Sequence, residues 1–309
     1  MAHTIPVLPF YKDKLKSDTD YWLSTSENVR EALEEYGCFI LEYNPVPIQL
    51  HNQVLSALKE LFDLPTETKM KNRYEKPLNG YVGQIPEIPL HESLGIDNAT
   101  TLQGIQFFTK TIWPAGNDHF SERVHEYAKF AEEIDQMITR MIFESYGVEK
   151  YYNDYIQSTT YLLRLLKNRA PKDDKPTLGF VTHTDKSFTT ILHQSEVDAL
   201  EIETRDGDRI NVHLSLPSYF MVIAGDALMA WSNDRIWSPK HRVLMSGKID
   251  RYSLGLFSFN NGVLQVPEEL VDQDHPLLYK PFDHLGLLRF YRTPEGSKAQ
   301  CPIKAYCGV

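Results

Sequence analysis

The stretch Gly179 to Lys186, "GFVTHTDK", sets a histidine and an aspartate two residues apart in a segment of β character. On a strand, residues i and i+2 point to the same side of the sheet. The imidazole of His183 and the carboxylate of Asp185 can therefore converge on one point. Two readings compete: a strand end carrying scattered polar groups, or two ligands of a single metal ion. The rest of the chain has to decide.

Around this stretch, from Thr159 to Asn260, strand-like runs succeed one another with turn signals about every ten residues. The runs are "TTYLLRLL", "SFTTILHQ", "ALEIET", "RINVHL", "YFMVIAGDALMAW", "HRVLMS" and "RYSLGLFSF". "RDGD", Arg205 to Asp208, is a hairpin turn between two of them. Many short antiparallel strands at this spacing predict a double-sheet jelly roll.

Helical patterns flank this β core. Ser26 precedes "ENVREALEEYG", with Gly37 placed to end a helix. "CFILEYN", Cys38 to Asn44, reads as a buried strand, and Pro47 opens a second amphipathic helix. Lys76 to Asp97, rich in Pro and Gly, reads as a long ordered loop, of which Tyr81 to Glu92 is expected to close over the site. Glu122 to Tyr146 has apolar residues at steps of three and four, from Val124 through Tyr127, Ile134 and Ile138 to Ile142, which predicts one buried stripe. Helix-prone sequence returns at "HPLLYKPFDHLGLLRFY". The expectation is a mainly β, α+β chain: an N-terminal helical and strand region (1–115), a long helix packing on the core (116–157), a jelly-roll core (158–265) and a C-terminal helical region (266–309).

Bulk properties narrow the function. A net charge of -10 argues against a nucleic-acid or membrane-surface partner, which would need a basic face. No apolar run reaches the ~20 residues that span a bilayer, and no secretory leader is evident. Three widely spaced cysteines form no zinc spacing and suit reduced thiols in the cytoplasm. Without an apolar heptad or a long unpaired edge, a monomer is expected.

A metal held by His183 and Asp185 needs a third ligand. Among eleven histidines, His241 stands out because it opens the segment "HRVLMSGKIDRYSLGLF". Read as a hairpin with an odd loop between Ser246 and Asp250, this segment would turn His241, Val243, Arg251 and Ser253 to one side. Two imidazoles and a carboxylate on one face of an octahedral ion leave three positions open, the arrangement that suits Fe(II). A chelating 2-oxo acid can take two and dioxygen the third. The far carboxylate of a dicarboxylic chelator needs a planar, bidentate cation, which Arg251 supplies, with Ser253 adding a hydroxyl.

"HTD", a histidine 56 residues after that aspartate, and "RYS" ten residues further on resemble the Fe(II)/2-oxoglutarate-dependent dioxygenases of plants. "GYVGQIPEIPLHESLGID", "HTDKSFTTILHQ", "PEELVDQDHPLLYKPF" and the terminal "KAYCGV" resemble the branch that includes alkenyl- and hydroxyalkyl-glucosinolate-forming enzymes and steroidal-alkaloid hydroxylases. The resemblance implies a double-stranded β-helix. It implies iron on His183, Asp185 and His241, 2-oxoglutarate on Arg251 and Ser253, and ascorbate supporting activity. The implied reaction consumes dioxygen and oxidises a C–H bond of a small plant metabolite, by hydroxylation, desaturation or cyclisation, releasing succinate and carbon dioxide. Many relatives carry a tyrosine on the strand before the first ligand, donating to the co-substrate; here "LRLLKNRAP" puts Asn168 at that place.

Phe180, Trp237, Phe257, Phe259 and Tyr81 are the candidates for an aromatic substrate pocket, Phe257 by sharing strand parity with Arg251 and Ser253. Two other classes stay open. A zinc hydrolase could use the same three ligands with a bound water, but would need a general base nearby. A non-catalytic metabolite-binding relative could keep the fold without turnover.

Overall fold

The computed structural model describes residues 4–44, 46–173, 175–214 and 216–309. Eleven strands build two facing sheets. They are β1 (Val7–Tyr11), β2 (Cys38–Asn44), β3 (His91–Asp97), β4 (Thr159–Asn168), β5 (Thr177–His183) and β6 (Thr189–Gln194), then β7 (Leu200–Glu203), β8 (Arg209–Val212), β9 (Tyr219–Ala224), β10 (His241–Met245) and β11 (Arg251–Asn260). The large sheet runs β1-β2-β9-β6-β11-β4-β3 and the small one β5-β10-β7-β8. Two mainly antiparallel sheets face to face, with helices packed outside, make the jelly roll of a mixed α+β chain.

Period-two alternation sorts the side chains of the large sheet. On β4, Tyr161, Leu163 and Leu165 are buried against the helices, with Leu254 and Leu256 of β11 beside them. The alternate residues Leu162, Arg164, Leu166 and Asn168, and Arg251, Ser253, Phe257 and Phe259, face the space between the sheets. At one end that space is closed by Ile40, Leu200, Ile202, Val212, Met221 and Ile223. At the other it opens into a cavity.

Helices cover the outer face of the large sheet. The longest, Asp118–Ser145, is capped by Asn117, whose amide oxygen accepts from the Phe120 N–H at 3.0 Å. Its stripe, including Val124, Tyr127, Ala131, Ile134, Ile138 and Ile142, is buried as its spacing predicts. The first helix starts earlier than Ser26: it spans Asp20–Tyr36 and is capped by Thr19. Ser26 sits buried inside it, donating to the Trp22 carbonyl at 2.8 Å.

Three other expectations are corrected. The segment from Lys76 to Asp97 is irregular only in its first part; His91–Asp97 is edge strand β3, paired in register with β4. Gly95 marks the reason, because a Cβ there would meet the Asn79 carbonyl oxygen at 2.1 Å as the loop crosses the strand. "YFMVIAGDALMAW" breaks at Gly225 into strand β9 and a short helix, Asp226–Trp231. Most importantly, β10 and β11 are not a hairpin. β10 pairs with β5 and β7 in the small sheet, β11 with β4 and β6 in the large one. The loop between them crosses the cleft, so parity around a turn does not apply. His241 and Arg251 meet because the sheets face each other.

Candidate metal centre and its cavity

His183 is the last residue of β5 and His241 the first of β10, and the two stand opposite each other in the antiparallel register. Their rings are 4.2 Å apart, centroid to centroid. The chain turns after His183 and brings Asp185 back, where its carbonyl accepts from the Asp226 N–H at 2.8 Å. One oxygen of Asp185, Oδ1, lies 3.6 Å from Nε2 of both histidines. The other, Oδ2, accepts from the Thr190 hydroxyl at 2.7 Å. A ligand atom from each of the three residues falls within 4.8 Å of the others.

The histidine tautomers fit a cation at this point. Nδ1 of His183 lies 2.8 Å from the Val181 carbonyl and Nδ1 of His241 lies 3.2 Å from the Pro239 carbonyl. A carbonyl only accepts, so each Nδ1 carries the proton and each Nε2 presents its lone pair to Asp185. Burial and the neighbouring His183 draw the His241 pKa down to about 4, which keeps it neutral. Burial would raise the Asp185 carboxyl, and the hydrogen bond from Thr190 works against it by favouring the ionised form.

The centre opens on a cavity of about 290 Å³. Arg251 lies in its wall, only 2 % exposed. Its guanidinium donates to Gln194 Oε1 through Nε at 3.0 Å and Nη2 at 2.7 Å, and to Ser253 Oγ through Nη1 at 3.1 Å. These partners are neutral, and among the described residues no carboxylate forms an ion pair with it. Burial draws its pKa down to about 10, so the charge persists at neutral pH. A buried cation without a counter-ion is expensive, and the cavity beside it is where an anion fits.

Asn168 stands in the same wall, but its amide nitrogen is committed, donating to the Gly179 carbonyl at 3.0 Å and to His91 Nδ1 at 3.3 Å. Its oxygen accepts from Arg251 Nη1 at 3.4 Å. Phe180, Phe257 and Phe259 line the cavity, Phe180 lying edge-on to His183 with ring centroids 4.9 Å apart. Two expected pocket residues do not. Trp237 lies against Arg205 in a separate recess with Ile5, Glu35 and Tyr36, because the turn before β10 faces away from the metal side. Tyr81 turns back to donate to Glu92 at 2.8 Å; Leu78 and Val82 are its loop's contribution to the cavity.

The profile of the 2OG-Fe(II) oxygenase superfamily matches residues 154–260, and that of the non-haem dioxygenase N-terminal region, described from morphine synthesis, matches residues 5–98. The chain is 41% identical to the probable 2-oxoglutarate-dependent dioxygenase AOP1.2 of Arabidopsis thaliana, over 99% of this chain and 96% of that protein. It belongs to the 2OG-Fe(II) oxygenase superfamily. This dioxygenase also superposes on the crystal structure of the rice dioxygenase for auxin oxidation with a TM-score of 0.82, at 26% identity over 98% of this chain and 100% of that one. The Arabidopsis dioxygenase for auxin oxidation 1, in its 2-oxoglutarate binary complex, gives 0.78 at 27% identity, over 88% and 100%. Iron and 2-oxoglutarate are the cofactor and co-substrate of the enzyme class. The hydrolase alternative lacks its base: Asp185 is the one carboxylate among the described residues that line the cavity. Among the described residues no helix is long and apolar enough to cross a membrane.

Four residues of the site escaped the reading of the sequence: Gln194, Thr190, His91 and Arg164. For Arg164 a signal existed, since it shares period-two parity with Asn168 on "TTYLLRLLKN". His91 carried none, because its segment reads as a loop.

Proposed function

We propose that this dioxygenase holds ferrous iron on His183, Asp185 and His241 and grips the far carboxylate of 2-oxoglutarate with Arg251 and Ser253, to oxidise a C–H bond of a small plant metabolite. The observation that carries the assignment is Arg251, a buried guanidinium with neutral partners facing the same cavity as the three ligands. The chemistry supplied by the bound metal and co-substrate is oxidative decarboxylation, giving succinate and carbon dioxide and oxidising power at one open position.

The chain's own side chains do the positioning. Two backbone carbonyls hold the imidazoles with Nε2 inward, and Thr190 fixes which Asp185 oxygen faces them. Gln194 accepts twice from Arg251 and so fixes the plane of the guanidinium fork. Leu162, Leu166, Phe257 and Phe259 give the remaining wall a large apolar part, which excludes water from the reacting face and suits a substrate with a hydrophobic body. Asn168 acts on the co-substrate through Arg251.

The test is to incubate the protein with Fe(II), 2-oxoglutarate and a plant metabolite extract under air, following succinate and mass shifts of about +16 or -2, the oxygen and hydrogen changes of this chemistry. Substrate-stimulated succinate that disappears in Asp185→Ala supports the assignment. Succinate release that survives loss of Asp185 would remove it.

A further inference from the structure

The cavity holds a second guanidinium that the chemistry above does not use. Arg164 lies on the cavity face of β4 between Leu162 and Leu166. The β4–β11 register sets Asn168 opposite Arg251 and Arg164 opposite Gly255. Four residues along a strand is roughly 13 Å. The two cations are therefore set apart along the cavity wall.

Arg164 donates to the carbonyls of Leu78 and Gly80 and, at 2.6 Å, to the Ser93 hydroxyl. Those three acceptors leave part of its five-donor fork unfilled. Among the described residues no carboxylate forms an ion pair with it. Its neighbours in the cavity are apolar, including Leu78, Val82 and Leu162. Burial draws its pKa down to about 10, so it remains a cation at neutral pH. Lys186, the other cation in the wall, is already paired with Asp226 at 2.8 Å. Opposite Arg164, Gly255 has no side chain, and a Cβ there would sit 2.8 Å from the Phe257 ring. The Phe257 ring fills the place a Gly255 side chain would take and is part of the cavity wall.

We propose that Arg164 is the anchor for a carboxylate on the main substrate, so that this dioxygenase acts on a small hydrophobic acid. The inference rests on the cavity being the substrate site of the iron centre described above. The Nε–H and one Nη1–H of Arg164 are left for a substrate carboxylate, and an apolar body matches the leucines and phenylalanines around it. Arg164 sets specificity and takes no part in the oxidation.

The experiment splits a plant metabolite extract on an anion-exchange resin into acidic and neutral pools and incubates each with enzyme, Fe(II) and 2-oxoglutarate. The expected result is oxidised product from the acidic pool, lost when that pool is first methyl-esterified. Arg164→Gln should raise KM for the acid roughly 10- to 100-fold, the range expected for charge-assisted hydrogen bonds. It should also shrink the preference for acid over methyl ester, a ratio that mere loosening of the Leu78 loop would not change, and Arg164→Lys should restore part of it. The visible absorption band of the ferrous 2-oxoglutarate chelate should be unchanged in both variants. Product from the neutral pool alone, or an unaltered acid-to-ester ratio in Arg164→Gln, overturns the assignment. A wild-type protein that forms no chelate band and no succinate would instead overturn the reading of the cavity on which it rests.

Discussion

Arg251 on β11 and Asn168 on β4 are direct cross-strand partners, with Nη1 of the guanidinium 3.4 Å from the amide oxygen. The amide accepts from the cation without neutralising it, and its own donor is held by Gly179 and His91. Asn168 therefore holds one end of the guanidinium through its amide oxygen.

That relationship is testable by charge. Asn168→Asp puts a carboxylate against Arg251 and makes it compete with the co-substrate for the same fork. KM for 2-oxoglutarate should rise roughly 10- to 100-fold, while Asn168→Ala should raise it only a few-fold. Fe(II) binding should be unchanged in both. Equal effects of the two substitutions, measured by succinate release against co-substrate concentration, would show that the pairing is incidental.

Thr190 offers a test of ligand orientation. Its hydroxyl donates to Asp185 Oδ2 and leaves Oδ1 facing both imidazoles. Thr190→Val keeps the shape and removes the donor, so Fe(II) or Co(II) affinity should fall roughly 10- to 100-fold, as for other partners that orient metal ligands. Thr190→Ser should bind metal as the parent does. Titration under anaerobic conditions reads the difference directly.

Strand periodicity paired His183 with Asp185, but β5 ends at His183 and Asp185 reaches the site because the chain turns back, whereas parity along β11 did put Phe257 on the cavity face with Arg251 and Ser253. The step from His241 to Arg251 was not legible. Their strands find partners far along the chain, β10 with β5 and β11 with β4, and no local pattern distinguishes a hairpin from a crossing between sheets. Trp237 and Tyr81 failed for a related reason. Nearness in sequence to a motif says nothing about which recess a side chain enters, and Tyr81 found Glu92 instead. Arg164 was within reach of the periodicity argument, but its meaning depended on a cavity that needs β3, β4 and the small sheet together.

Acid stability should reflect a buried histidine pair. His51 Nδ1 and His193 Nε2 are 3.0 Å apart, and His193 stacks on Tyr127 from the long helix and lies against Phe220 of β9. Burial and the neighbouring His51 lower the His193 pKa to about 3, and burial lowers that of His51. The unfolded chain therefore binds protons that the folded one refuses, starting near the ordinary value of about 6.5. Stability is full above that pH and falls as pH drops towards 3. Between pH 7 and pH 5 the loss from His193 should be on the order of 2 kcal/mol. His193→Gln, which keeps an N–H for the Pro217 carbonyl, should remove that loss, so that the wild-type urea midpoint falls relative to the variant's between pH 7 and pH 5. A difference between the two midpoints that stays constant across the interval would contradict the assignment.

Asp135 predicts the opposite slope over an overlapping pH range. It sits 1 % exposed on the buried stripe of the long helix, accepting from Tyr161 at 3.0 Å and from Thr189, with Ser258 alongside. Burial raises its pKa to about 7, and the hydroxyls and the nearby Glu132 only modify that. The folded chain thus holds a proton that the unfolded chain releases near pH 4, so this group's contribution is full below about 4 and is lost as pH rises through 7. Asp135→Asn removes the ionisation and keeps an acceptor for the hydroxyls. The variant's stability advantage over wild type, read from urea midpoints, should grow between pH 5 and pH 8 by an amount on the order of 3 kcal/mol. Because the site lies on the helix side of the large sheet, away from the cavity, its kcat should match the parent's. A variant less stable than wild type at pH 8 would mean that the carboxylate is charged and satisfied in the fold.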